Sequence, residues 1–212
     1  GATAGIGLWT ALGLARHGAR LVIAGRSTSR LAEAVAWIRQ RVPDAEIETE
    51  QADFASLKQV RAMGERIAAK HPRIAILVNN AGLMALKRVV TEDGYETTLQ
   101  VNHLAPFLLT LMLLPALKAA APARIVTVAS QASKLAKIRF DDLNRARAFG
   151  MTSAYGQSKL ANIMMTYALA RRLDGTGVTA NAIHPGLVAS NFGNKGPVTN
   201  FVWSVLMRPV AK

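Results

Sequence analysis

Tyr155 and Lys159 stand four residues apart in Ser153 to Leu173, a stretch whose pattern predicts a helix, so their side chains share one face. A phenol beside a fixed ammonium is a proton-transfer device. Free tyrosine has a pKa of about 10, too high for an efficient base near neutrality. A neighbouring cation favours the phenolate and lowers that value. The same spacing also arises by chance on exposed helices, where it is only a surface contact. Ser130 follows Ala123 to Ala129, an apolar run predicted as a buried strand. Open α/β sheets bind ligands at such strand ends. The Ser130 hydroxyl can hold a substrate oxygen and stabilise charge developing there. Ser133 is the fallback, and a plain strand-end cap is the alternative role for Ser130.

A second group could hold an anion. Gly1-Ala2-Thr3-Ala4-Gly5-Ile6-Gly7 places glycines where a phosphate can approach the main chain, ahead of a helix whose first N–H groups point at it. Alone, this is a weak signal. Arg26 ends the next apolar run, in Ala24-Gly25-Arg26-Ser27, with no Asp or Glu beside it. In dinucleotide-binding folds an acid there holds a ribose 2′-hydroxyl, whereas an Arg accommodates a 2′-phosphate. Arg26 therefore favours NADP over NAD, the alternative being a solvated surface charge.

The elements needed to position these groups are legible. Helices are predicted over Leu8 to His17, Ser29 to Arg41, Ser56 to Lys70, Leu104 to Ala120 and Ser153 to Leu173. Strands are predicted over Arg20 to Ala24, Ala45 to Thr49, Ile74 to Val78, Ala123 to Ala129 and Val178 to Ile183. Strands apolar on both faces and alternating with helices imply a parallel sheet covered on both sides, a doubly wound α/β fold in one domain over 1–212. The first residue lies inside a strand-to-helix turn and the last follows an apolar stretch with no final strand. First and last strands are therefore expected outside these residues, with 189–212 as the start of a substrate lid. Phe192, Phe201, Trp203, Leu206 and Met207 would form its apolar wall, or else a helix packed on the core or a partner subunit.

Composition removes several classes. The absence of cysteine excludes disulfides, a thiolate nucleophile and Cys-ligated zinc. His17, His71, His103 and His184 share no ligand spacing, so no metal site is expected. The net charge of +13 comes from scattered bases rather than a tract interleaved with aromatics, which argues against specific nucleic-acid binding and leaves a membrane surface open. Leu104 to Leu117 is apolar but too short to span a bilayer and carries Pro106 and Pro115, so it reads as a buried helix. A cytoplasmic protein is expected, with a peripheral membrane position or an upstream anchor left open. The long helices could equally form a dimer face or stay in the core.

Taken together, these segments resemble the short-chain dehydrogenase/reductase family. GATAGIG is similar to its TGxxxGxG turn, Asn79-Asn80-Ala81-Gly82 to its NNAG segment, Tyr155-Gly156-Gln157-Ser158-Lys159 to its YxxxK, and His184-Pro185-Gly186-Leu187-Val188 to its PGxV. Asn102, in LQVNHLAPF, resembles its helix asparagine. The phrases GYETTLQVNHLAPFLLT, YGQSKLAN and LDGTGVTANAIHPGLV look most like retinol dehydrogenase-like and WW-domain oxidoreductase-like members.

The resemblance implies hydride transfer between a nicotinamide and an alcohol or carbonyl carbon of an apolar substrate, of retinoid, steroid or lipid aldehyde class. Tyr155 would be acid/base and Ser130 the substrate anchor. Lys159 would also hold the nicotinamide ribose. Asn102 would hold a relay water, through its amide or its main-chain carbonyl. Cofactor contacts would come from Gly1, Thr3, Ala4, Gly5, Ile6, Gly7, Arg26, Asp53, Phe54, Asn80, Ala81, Gly82, Tyr155, Lys159, Pro185, Gly186, Val188 and Ser190. Ser190 stands where the family often has Thr and keeps the hydroxyl. Asp53 could contact adenine or signal the start of the next helix, or do both. A catalytically silent NADP sensor or a membrane-surface module on the same fold is the alternative.

Overall fold

The computed structural model describes residues 1–186. Helix α1 (Gly5–Arg16) leads to strand β1 (Leu21–Gly25), α2 (Thr28–Arg39), β2 (Ile47–Gln51), α3 (Leu57–Lys70) and β3 (Ile76–Asn79). A short helix α4 (Thr97–Leu99), a π-helical turn (Gln100–Leu104) and α5 (Ala105–Ala119) form the next helical run. Then follow β4 (Ala123–Val128), a 3-10 turn (Gln131–Leu135), α6 (Met151–Arg172) and β5 (Val178–Ile183).

All strand pairs are parallel, as the alternating pattern requires. Among the described residues the strands form two groups rather than one continuous sheet. β1 pairs with β2, and β4 pairs with β3 on one side and β5 on the other. Strand boundaries fall one or two residues later than sequence predicts for β1, β2 and β3, because pairing rather than hydropathy sets them: Leu21 opposes Ile47, and Ile76 opposes Arg124. β2 is an edge strand with only Ile47 buried; its outward Glu48 and Glu50 meet Lys70 and Arg66 of α3, each at 2.7 Å.

Two apolar cores correspond to the two groups. Leu12, Ile23, Leu31 and Ile38 join α1, α2 and β1. Val60, Met63, Leu113, Leu117, Ile125 and Leu169 join α3, α5, α6 and β4. Between β1 and β3 lies a cavity of about 640 Å³, lined by Leu21, Ile23, Ile76, Val78, Phe54 and Leu113 among others. β1 and β3 each face this slot with an edge that no described strand pairs.

The α4–α5 run is longer than sequence predicts. Thr97–Ala119 makes one helical stretch of 23 residues, and an 18-residue window within it reaches mean hydropathy 1.4, so the stretch is long and apolar enough by that measure to cross a membrane. Its Leu109, Leu113 and Leu117 are buried against α3 and β4, which makes it a core helix here.

Two cores separated by an open slot leave the backbone edges of β1 and β3 without the pairing that stabilises a buried sheet. We expect these 212 residues alone to unfold without a sharp cooperative transition. A single steep thermal transition, seen identically by far-ultraviolet and near-ultraviolet circular dichroism, would contradict this.

Candidate active site

The glycine turn is built for close approach. α1 starts at Gly5, which takes φ +52°, and Ala4 before it is extended with no side-chain cap. The first-turn N–H groups are thus not satisfied by a capping side chain, the arrangement that favours an anion. A Cβ on Gly7 would overlap the Gly1 carbonyl oxygen and come within 2.5 Å of Asn80 Nδ2. That contact is a real link: Asn80 Nδ2 donates to the Gly1 carbonyl at 2.7 Å.

The segment Asn79–Leu83, from the last residue of β3 onward, is tied at three points. Asn79 Nδ2 donates to Thr110 Oγ1 at 2.9 Å, and Asn80 donates to Gly1. Asn102 Oδ1 accepts the Leu83 N–H at 2.7 Å while its Nδ2 donates to the Leu83 carbonyl at 2.9 Å. Asn102 Nδ2 also meets Ser158 Oγ at 3.0 Å, and the Asn102 carbonyl accepts from Asn162 Nδ2 at 2.9 Å. Both N–H donors of the Asn102 amide are therefore spent on protein, while its Oδ1 and its main-chain carbonyl each accept one of these bonds. Gly82 lies between the two groups: a Cβ there would be 3.3 Å from Asn102 Oδ1 and 3.5 Å from Lys159 Nζ.

Ser130, Tyr155 and Lys159 come together at the end of β4. Ser130 opens the 3-10 turn, its Oγ accepting the Ala132 N–H at 3.3 Å, and its side chain is hydrogen-bonded to Tyr155. Ser133, the fallback, is buried and spends its hydroxyl on the Ser130 carbonyl at 2.7 Å. It supports Ser130 rather than competing with it. Gly156 lets the turn press against α6, since a Cβ there would lie 2.8 Å from the Ala132 carbonyl. Lys159 is buried and donates to the carbonyl of Val128, the last residue of β4, at 2.8 Å.

The electrostatics differ from the sequence reading. Lys159 Nζ lies 5.6 Å from the Tyr155 ring centroid. Burial nevertheless raises the Tyr155 phenol above its ordinary value, and the Ser130 hydrogen bond offsets only part of this. Burial also lowers the Lys159 ammonium from 10.5 to about 8. Burial thus sets the direction at Tyr155, while the Lys159 ammonium gives a hydrogen bond to a main-chain oxygen.

After β1, Arg26 is 75% exposed and pairs with Asp53 at 3.7 Å, a distance longer than a hydrogen bond. Gly25 is close to Thr3, to whose Cγ2 a Cβ would come within 3.1 Å. Asp53 accepts the Ala55 N–H at 2.9 Å, but the N-cap of α3 is Ser56, so the helix-start role belongs to Ser56. Phe54 packs on the main core and lines the sheet slot. Pro185 and Gly186 follow β5, with Gly186 at φ +74°. Val188, Ser190 and the lid residues from Phe192 to Met207 lie outside the described residues. Among the described residues no cluster of acids and histidines could hold a metal.

Motif reading overlooked Ser158 and Asn162, both buried in this network. Their spacing was the available signal. Tyr155, Ser158, Lys159 and Asn162 recur at i, i+3, i+4 and i+7, a helical stripe that is polar where a core face would be apolar.

The family model for short chain dehydrogenases matches residues 1–197, and the chain belongs to that family. It is 44% identical over 203 residues to mouse retinol dehydrogenase 12, covering 96% of this chain and 64% of that protein's length. The structure of an uncharacterised protein from Mycobacterium paratuberculosis superposes with TM-score 0.78 at 36% identity, over 92% of this chain and 69% of that one. A short-chain dehydrogenase from Sphingobium yanoikuyae in complex with NADPH superposes with TM-score 0.74 at 27% identity, over 91% and 71%.

Two outcomes follow for the intact protein. Gly7→Val forces a side chain into the Gly1–Asn80 contact and should cost about 1–3 kcal/mol of stability, as overpacking does. It should also abolish NADPH binding by fluorescence titration; wild-type affinity would remove the turn from the site. For Lys159, a cation whose folded value lies below its unfolded one, the unfolded state binds more protons between pH about 8 and 10.5. Wild type should therefore gain stability relative to Lys159→Met as pH rises through that window, and an unchanged or shrinking difference would contradict the burial of this ammonium.

Proposed function

We propose that the protein is an NADP-dependent oxidoreductase that interconverts an alcohol and its carbonyl on an apolar substrate. The convergence of Ser130, Tyr155 and Lys159 at the end of β4 carries this reading. The residues fit a dinucleotide: the α1 N-terminus carries no side-chain cap, and Gly5 at φ +52° with the close-packed Gly7 shapes the turn that opens it. A bound nicotinamide supplies the hydride donor or acceptor. Ser130 Oγ orients the substrate oxygen, and Tyr155 gives or takes the proton there. The raised phenol favours the protonated form, which suits carbonyl reduction. Lys159 holds a positive charge beneath the site below pH about 8.

Arg26, with no acid beside it in the chain, supports the 2′-phosphorylated cofactor. The NADPH complex of the Sphingobium relative supports the same choice. Leu135 and Phe140, which follow Ser130 in the chain and are 96% and 75% exposed, support an apolar substrate. So does the likeness to a retinol dehydrogenase.

With NADPH and retinal as probes, Tyr155→Phe should bind cofactor normally yet lose turnover by about 100-fold or more. Near-normal turnover would overturn the assignment. Arg26→Asp should move the cofactor preference toward NADH; an unchanged ratio would take Arg26 out of the phosphate site.

A further inference from the structure

We infer that Asn162, set by His103, is a positioning residue for the proton-transfer site. Together they hold the main-chain carbonyl of Asn102 in place. The inference rests on the assignment of Tyr155 and Lys159 above.

The need for such a pair begins in the helix. In an α-helix the Asn102 carbonyl would accept from the N–H at position 106, but residue 106 is proline and has none. The chain passes through the π-helical turn at this point, with the Ala105 N–H reaching back to the Gln100 carbonyl. Asn102 is fully buried, so its carbonyl cannot turn to bulk water for a donor. Asn162 Nδ2 supplies one at 2.9 Å.

The direction of each bond is fixed by its partner. A carbonyl only accepts, so Asn162 must present its nitrogen to Asn102 and its Oδ1 to His103. His103 Nδ1, 3.0 Å from that oxygen, must then carry the proton and donate it. Burial disfavours the imidazolium, so a neutral ring with Nδ1–H is the form that fits. Thr166 Oγ1 donates to the Asn162 main-chain carbonyl at 2.8 Å and fixes the same turn of α6.

The consequence reaches the site through Asn102. Its side chain clamps Leu83 by both main-chain groups, and Gly82 beside it packs near Lys159 Nζ. A shift of the Asn102 backbone would therefore move the Gly82 segment relative to Lys159. Asn162 lies three residues beyond Lys159 on α6, so one helix carries both the ammonium and the group that sets its surroundings.

The test uses the intact protein with NADPH and retinal, and counts folded, cofactor-binding sites so that loss of stability is not read as loss of rate. Asn162→Leu keeps the size and removes both bonds. His103→Leu removes the donor, whereas His103→Asn keeps an N–H in its place. We expect Asn162→Leu and His103→Leu to lower kcat about tenfold or more with the KM for NADPH changed less than about twofold, and His103→Asn to restore most of the loss. If Asn162→Leu does not fold, the His103 pair decides alone. Wild-type kcat in the leucine variants, with Tyr155→Phe inactive, would overturn the inference and leave the site assignment standing. Activity in Tyr155→Phe would overturn the assignment, and the inference with it.

Discussion

The hydrogen bond from Lys159 Nζ to the Val128 carbonyl is the constraint around which the site is arranged. An ammonium taken out of water is costly unless it is paired with strong acceptors. Here the pairing is a main-chain oxygen at the end of β4, so α6 must lie close against that strand end. Its N-terminal half is accordingly polar on its buried side, with Ser158, Lys159 and Asn162 occupying positions that would otherwise be leucine or valine. The cost is visible in the lowered basicity of Lys159. What is gained is a charge that cannot wander, fixed beneath a phenol that burial keeps protonated.

The same arrangement links both halves of the site. Asn102 faces α6 through Ser158 and Asn162 and faces the β3 end through Leu83. Asn80 then continues to the glycine turn at Gly1. Hydrogen bonds of Asn102, Asn162 and Asn80 thus link α6, the end of β3 and the Gly1–Gly7 turn. Strand ends and loop closures among the described residues converge on one edge of the fold.

Much of this was legible in the sequence. The order of helices and strands followed from apolar runs alternating with helical periodicity, and Ser130, Tyr155 and Lys159 do meet in space. What was not legible depended on pairing and burial. Strand limits at β1 and β3 are set by partners 26 and 48 residues away, as with Leu21 and Ile47 or Ile76 and Arg124, and local hydropathy does not encode them. The direction of the Tyr155 shift is not legible in the sequence because spacing gives proximity to Lys159 but not the depth of burial. Asp53 was divided between two roles because the true cap, Ser56, lies only three residues further along.

The central claim is that this site moves a hydride between a nicotinamide and an apolar carbonyl carbon. The most direct measurement incubates the intact protein with NADPH dideuterated on the nicotinamide ring and with retinal, and analyses the product by mass spectrometry. The account predicts retinol carrying one deuterium on its carbinol carbon. Cofactor that binds tightly but transfers no deuterium to retinal, to a steroid ketone or to a long-chain aldehyde would contradict it.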